Sequence, residues 1–200
     1  MTNMVLRPRW ARASAYSLSL FPLLLFLSSC AGSSNYMKPS ASQVVPTQDK
    51  ALVRFMRPSG IGFAINFNML DGTKVIGNSV AKSQFDYLAD PGHHLFVAIS
   101  ENKVFLEADL APGKVYYVIT RIYPGWMRAR VAFEAVTRGS EFWDAVLQYE
   151  KELQRLEPDE ANLRIWQDAH REEIQAVLAS YESEFKTKYN WPKLSPIDGR

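Results

Sequence analysis

Residues 91–123 read PGHHLFVAISENKVFLEADLAPGKVYYVITRIY. Three strands and two turns are legible here. In KVFLEADL (103–110), Val104, Leu106, Ala108 and Leu110 fall on one face and Glu107 and Asp109 on the other, the period-2 pattern of a half-buried strand. Glu101-Asn102 reads as a two-residue hairpin turn. Pro112-Gly113 is a turn dipeptide, in which Pro pre-sets φ and Gly supplies a positive one. The flanking strands, HHLFVAIS and KVYYVITRIY, are apolar on both parities. An antiparallel strand with a solvated face alternates, so something should cover the outer face of these strands.

Working outward, short β-rich runs punctuated by Gly, Pro, Asn and Asp predict strands near 51–57, 62–70, 73–77, 84–88, 93–100, 103–110, 114–123 and 127–137. In GFAINFNML, Phe63, Ile65, Phe67 and Met69 share one face and Asn66 and Asn68 the other. After Arg138-Gly139 the period changes to 3.6. Ser140 can cap a helix carrying Phe142, Val146, Tyr149, Leu153 and Leu156 on one stripe. Pro158 with Asp159 and Glu160 marks a new start. The second helix, to about Tyr189, carries Leu163, Trp166, His170, Ile174, Val177, Tyr181 and Phe185. The two form a hairpin or a bent pair and are the candidate cover. The fold expected is mainly β plus α: a small antiparallel β-sandwich followed by two C-terminal amphipathic helices.

The N-terminal side has its own logic. Arg7, Arg9 and Arg12 precede an apolar run, Ala15 to Leu27, that closes on Ser28-Ser29. A basic start, a short apolar stretch and small residues make a secretory signal. A span needs about 20 apolar residues, and this run is shorter and broken by Ser17, Ser19 and Pro22. Loss of residues 1–29 would remove three arginines and no acid, turning the net charge from +2 to −1. That balance gives no basic patch of the kind nucleic-acid binding needs. Cys30 is the single cysteine, so no disulfide can form within the chain.

Two resemblances follow. Leu27-Ser28-Ser29-Cys30 resembles the lipobox of bacterial lipoproteins. That resemblance implies a diacylglyceryl group on the Cys30 thiol, cleavage before it and acylation of the new amine, which would hold the chain at a membrane. Ala31 stands where many Gram-negative lipoproteins retained at the inner membrane carry Asp, which implies the outer membrane, facing the periplasm. Arg57-Pro58, Asp71-Gly72, Ile76-Gly77, Pro91 to His94 and Leu110 to Val118 occur in an order similar to the DUF2846-type periplasmic domain, related in style to PEGA-like and prealbumin-like sandwiches. This covers roughly residues 50–137 and implies a fold but no reaction. The organisation expected is a signal peptide (1–29), a lipidated flexible tether (30–49), the sandwich (50–138), a helical extension (139–190) and a loose polar tail (191–200).

No catalytic constellation is legible. His93 and His94 are neighbours in a strand and point to opposite faces; joining them with His170 into a zinc site would require the fold to gather all three. No nucleophile-elbow or phosphate-loop motif is present, and no cofactor is expected. The sharper surface feature is YPGWMRAR, 123–130: a Pro124-Gly125 turn presenting Tyr123, Trp126, Arg128 and Arg130, the composition of a binding hot spot or of a membrane interface. The expected role is non-enzymatic binding or scaffolding in the envelope, with an envelope partner on the C-terminal helices. The alternative is a small-ligand pocket, in the sandwich or under the helices, lined by aromatic residues such as Tyr116, Tyr117, Trp143 and Trp166.

Overall fold

A computed structural model describes residues 34–100, 102–123 and 130–200. In chain order the strands are β1 (Met37–Pro39), β2 (Ala51–Arg57), β3 (Phe67–Asp71), β4 (Lys74–Ser79), β5 (Ser83–Ala89), β6 (Gly92–Ile99), β7 (Lys103–Leu110), β8 (Val115–Tyr123), β9 (Arg130–Ala135), β10 (Gln154–Pro158) and β11 (Lys193–Leu194). The helices are α1 (Ala145–Glu152), α2 (Glu160–Ala169) and α3 (Arg171–Ser180), the last continued by a π turn, Tyr181–Phe185. The strands form a six-stranded sheet, β1-β10-β5-β2-β8-β9, and a five-stranded sheet, β11-β7-β6-β3-β4. The chain is thus mixed α/β, with more strand than helix, and sandwich-like. Most pairings are antiparallel; β2–β8, β10–β5 and β11–β7 are parallel.

The two-faced strands explain the layers. Phe96 and Ala98 of β6 and Tyr116 and Val118 of β8 point between the sheets, into a core with Val53, Phe55, Met69, Phe85 and Leu106. Phe55 stacks on Phe85 at 5.1 Å and meets Phe96 edge-on at 5.3 Å. Gly77 admits the Phe85 ring: a Cβ there would lie 2.7 Å from it. The opposite parity of β6, Leu95, Val97 and Ile99, lies under α2 and α3 with Leu163, Ile174, Val177 and Tyr181. The opposite parity of β8, Tyr117 and Ile119, lies under α1 with Val146 and Leu153. Both faces are covered as their composition requires, but by helices on opposite sides of the sandwich, neither a hairpin nor a bent pair.

Other expectations need correction. The first helix is short: Gln154–Pro158 leaves it to pair with the open edge of β5, carrying Leu156 into the inter-sheet core. Edge pairing overrides the helical period there. The second helix bends at His170, whose Nδ1 lies 2.8 Å from the Trp166 carbonyl and competes within the helical ladder, its ring stacked on Trp166 at 4.2 Å. The tether is not loose over its whole length: Met37–Pro39 pairs with β10, and Ser34 Oγ donates to Asn78 Oδ1 at 2.9 Å. The tail is not loose either. Leu194 and Asp198 are buried, and Arg200 exchanges two backbone hydrogen bonds with Val115, each of 3.0 Å.

Strand direction defines two ends. One, the loop end, gathers the connections after β2, β4 and β6, the outer end of β8 and the start of β9. The other gathers Asp71-Gly72, Asp90 to Gly92 and Pro112-Gly113.

Candidate functional site

At the loop end, β2 closes on Arg57, which continues the inward parity of Val53 and Phe55. Its guanidinium is 1% exposed and meets carbonyl oxygens rather than a carboxylate. Nη1 donates to Ile65 at 2.6 Å and Ser79 at 3.3 Å, and Nη2 to Ile61 at 3.1 Å and Gly62 at 2.7 Å. Burial pulls its pKa down to about 10, which leaves it charged at neutral pH. The loop after β2 is therefore wrapped around a cation. Gly62 sits at φ +65°, a conformation other residues reach only with strain, and against Ile122. Phe63 was expected on the core face of a strand; that strand begins only at Phe67, and Phe63 is 64% exposed. The Gly60 and Gly62 turn positions break the apolar alternation and turn the side chain out. Ile61 is 59% exposed beside it.

A groove of about 560 Å³ adjoins this loop. Pro58, Ile61, Ile122, Tyr123, Phe142 and Tyr149 line it, with Lys82 and Arg121 among the polar groups. Arg121 pairs with Glu134 at 3.1 Å and lies over the Phe142 ring at 5.1 Å. Tyr123, 46% exposed, ends β8 directly opposite the exposed Arg130 of β9. Trp126, Arg128 and the Pro124-Gly125 turn lie outside the described residues, as do Cys30 and the signal segment. Of the interaction surface read from sequence, the fold thus brings Tyr123 and Arg130 together and joins Tyr123 to an apolar groove. Sequence reasoning missed Ile61, Phe63 and Arg57; the signal for the first two was the PSGIG turn run.

The aromatic residues suggested for a ligand cavity do not meet in one. Tyr116 lies in the core and its hydroxyl accepts from Ala111 N–H at 2.8 Å. Tyr117 lies under α1, and burial with its bond to Glu150 pushes its pKa up to about 12. Trp143 is faced by the guanidinium groups of Arg200 and Arg138, and Trp166 by His170.

Two polar clusters are fastenings. Arg54 grips Asp86 with Nε at 2.6 Å and Nη2 at 3.0 Å and also bonds Glu150, which accepts from Tyr117 at 2.9 Å. Gln84 donates to the Glu150 and Leu153 carbonyls. Together they pin α1 to β2, β5 and β8. At the far end, His94 Nδ1 lies 2.8 Å from Asp71 and Nε2 2.7 Å from the Asp90 carbonyl. Tyr87 also donates to Asp71. Both imidazole nitrogens are engaged by acceptors, which suits the protonated ring. The Asp71 bond, against the opposing pull of burial, raises the His94 pKa above 6.5. A raised folded value gives stability that is fully present below the unfolded pKa and is lost as pH rises through the folded one. Substitution His94→Asn should therefore destabilise most under mildly acidic conditions, with the gap to wild type narrowing in alkali. Urea melts across pH check this.

Among the described residues, no group of three or more His, Cys, Asp or Glu side chains is placed to hold a metal ion. No helix among them is long and apolar enough to cross a membrane. No family model matches this chain, and no match to it was found among curated proteins or solved structures.

Proposed function

We propose that this chain is a lipid-anchored cell-envelope protein, held by acyl chains on Cys30 at the outer membrane and facing the periplasm, with a non-enzymatic binding or scaffolding role. The signal-like start and the Leu27 to Cys30 motif support the anchor. The two-sheet architecture is compatible with a DUF2846-type domain of PEGA- or prealbumin-like style. The observation that carries the binding role is the loop-end groove, where exposed Tyr123 and Ile61 adjoin apolar walls and Arg121 and Lys82. Aromatic and arginine side chains at an apolar patch are the composition of interaction hot spots. The apolar stripes of α1, α2 and α3 are occupied by the sandwich, which moves the expected partner surface from the helices to this groove.

A photo-crosslinker at position 123, in cells, tests the reading together with membrane fractionation. Wild type should fractionate with membranes and crosslink to a discrete envelope partner, and Arg121→Glu should lose the crosslink while remaining folded. Cys30→Ala should leave the membrane fraction. Identical soluble fractionation of wild type and Cys30→Ala contradicts the anchor.

The groove volume, within the roughly 300–1,000 Å³ range of small-molecule sites, and its Phe142 and Tyr149 walls favour a second reading: a small amphiphile bound beside α1. A ligand carried through purification in a native mass spectrum, and lost on Phe142→Asp, would favour that reading.

A further inference from the structure

We propose that the loop end of the sandwich is the membrane-facing surface, with Phe63 seated in the headgroup region of an anionic phospholipid bilayer and the adjoining groove walled by Ile61 and Tyr123 presented to a partner held at the same membrane surface. This rests on the reading of Cys30 as lipid-anchored and goes beyond it, since an anchor alone does not orient a domain.

The leash is the first observation. Ser34, the first described residue, is fastened to the fold by its bond to Asn78, next to the last residue of β4. Ser34 shares a cleft with Asn66, Asn68 and Ile99, all at the loop end, and Asn66 is three residues from Phe63. Only four residue steps separate Ser34 from Cys30. Fully extended at about 3.3–3.6 Å per residue, they reach at most about 14 Å. β6 and β7 are eight residues each, so the far end lies about 24 Å further along the strands, seven steps at about 3.4 Å per residue. A leash of that length brings the loop end to the bilayer and leaves the Asp90 end in solution.

The second observation is what that end carries. Ile61 and Phe63 project from a loop that Arg57 grips through three of its carbonyl oxygens and ties to the Ser79 carbonyl of β4. Tyr123, amphipathic and half-exposed, stands at the same end, and such rings settle at headgroup level. Among the described residues, Lys82, Lys103 and Arg130 are exposed cations of these loops and strand ends; the α1–β10 junction beside Lys82 adds exposed Lys151 and Glu152, and Glu101 lies outside the described residues. The far end carries Asp49, Asp90 and Asp109 together with Lys50, Lys74 and Lys114, with Lys50 paired to Asp90 at 2.5 Å. Apolar tips ringed by cations suit an anionic lipid surface, and attraction to anionic headgroups adds to apolar insertion.

The test uses the mature full-length protein purified from membranes and reconstituted into phosphatidylethanolamine–phosphatidylglycerol vesicles containing doxyl-labelled lipid. Phe63→Cys, Asp90→Cys and Ile165→Cys, all at exposed positions, each take one thiol-reactive fluorophore, because a lipid-blocked Cys30 cannot. The label at 63 should lie within about 5–10 Å of the acyl boundary and be quenched at least about twofold more than those at 90 and 165. Equal quenching at 63 and 90, or strongest quenching at 165 on the α2 face, overturns the orientation. Labelling of the wild-type thiol signals instead that the anchor reading has failed, so the two failures are distinguishable.

Discussion

Replacing Arg54 with methionine should cost about 3–5 kcal/mol of unfolding free energy, the range found when one member of a buried ion pair is removed. The Arg54 and Asp86 side chains are 3% and 8% exposed. Methionine fills the aliphatic volume but leaves Asp86 with only Arg155, 3.7 Å away, and Glu150 with the Tyr117 hydroxyl. The loss should not be uniform. Arg54 and Tyr117 reach Glu150 from the sheet, so the amides of α1 should exchange with solvent before those of the core strands. Removing the stranded charges as well, with Arg54→Met, Asp86→Leu and Glu150→Leu combined, should recover a large part of the loss. Denaturant melts and hydrogen exchange check both points.

Arg57→Met should cost about 2–4 kcal/mol, smaller per bond than the charged-donor hydrogen bonds it removes would suggest. The loop carbonyls can turn to water once released, whereas Ser79 O is held within the fold. Arg57→Lys should rescue little, since one ammonium on a flexible stem cannot span four carbonyls as a planar guanidinium does. This variant separates fold from surface: Ile61 and Phe63 remain in the chain but lose their platform. If the loop is a docking element, Arg57→Met at temperatures where the domain stays folded should weaken quenching at a position-63 label. Thermal melts and the vesicle assay read the two effects independently.

The reach of sequence reasoning followed the range of the forces involved. β7 was legible to the residue because Val104, Leu106, Ala108 and Leu110 alternate against Lys103, Glu107 and Asp109; Phe105, on the polar parity, is buried under the turn after α3 instead. The two-parity runs around Leu95 to Ile99 and Tyr116 to Ile119 foretold a cover on the outer face of these strands. Which helix covers which sheet was not legible, because apolar stripes state that a face is buried and not against what. Gln154–Pro158 was misread as helix since Leu153 and Leu156 fit a helical stripe; only the open edge of β5, distant in sequence, makes it a strand. Met37–Pro39 and Lys193–Leu194 were missed for the same reason, each too short for a period and fixed by a sheet edge. In the candidate site, Tyr123 and Arg130 were legible from composition around a turn. Phe63 was placed on the strand face of Ile65 and Phe67 because the alternation was extended through Gly62, and Arg57 was missed because a charged residue within a strand run gives no sign of the carbonyls that will surround it.

Cys30 decides both location and orientation, since the anchor places the domain at a membrane and the four residue steps from it to Ser34 set the reach. An intact mass of the mature protein extracted from membranes tests this most directly. A chain beginning at residue 30, heavier than its sequence by a diacylglyceryl group and an amide-linked acyl chain, is the predicted result. A mature chain that retains residues before Cys30, or one whose Cys30 is an unmodified thiol, would contradict it.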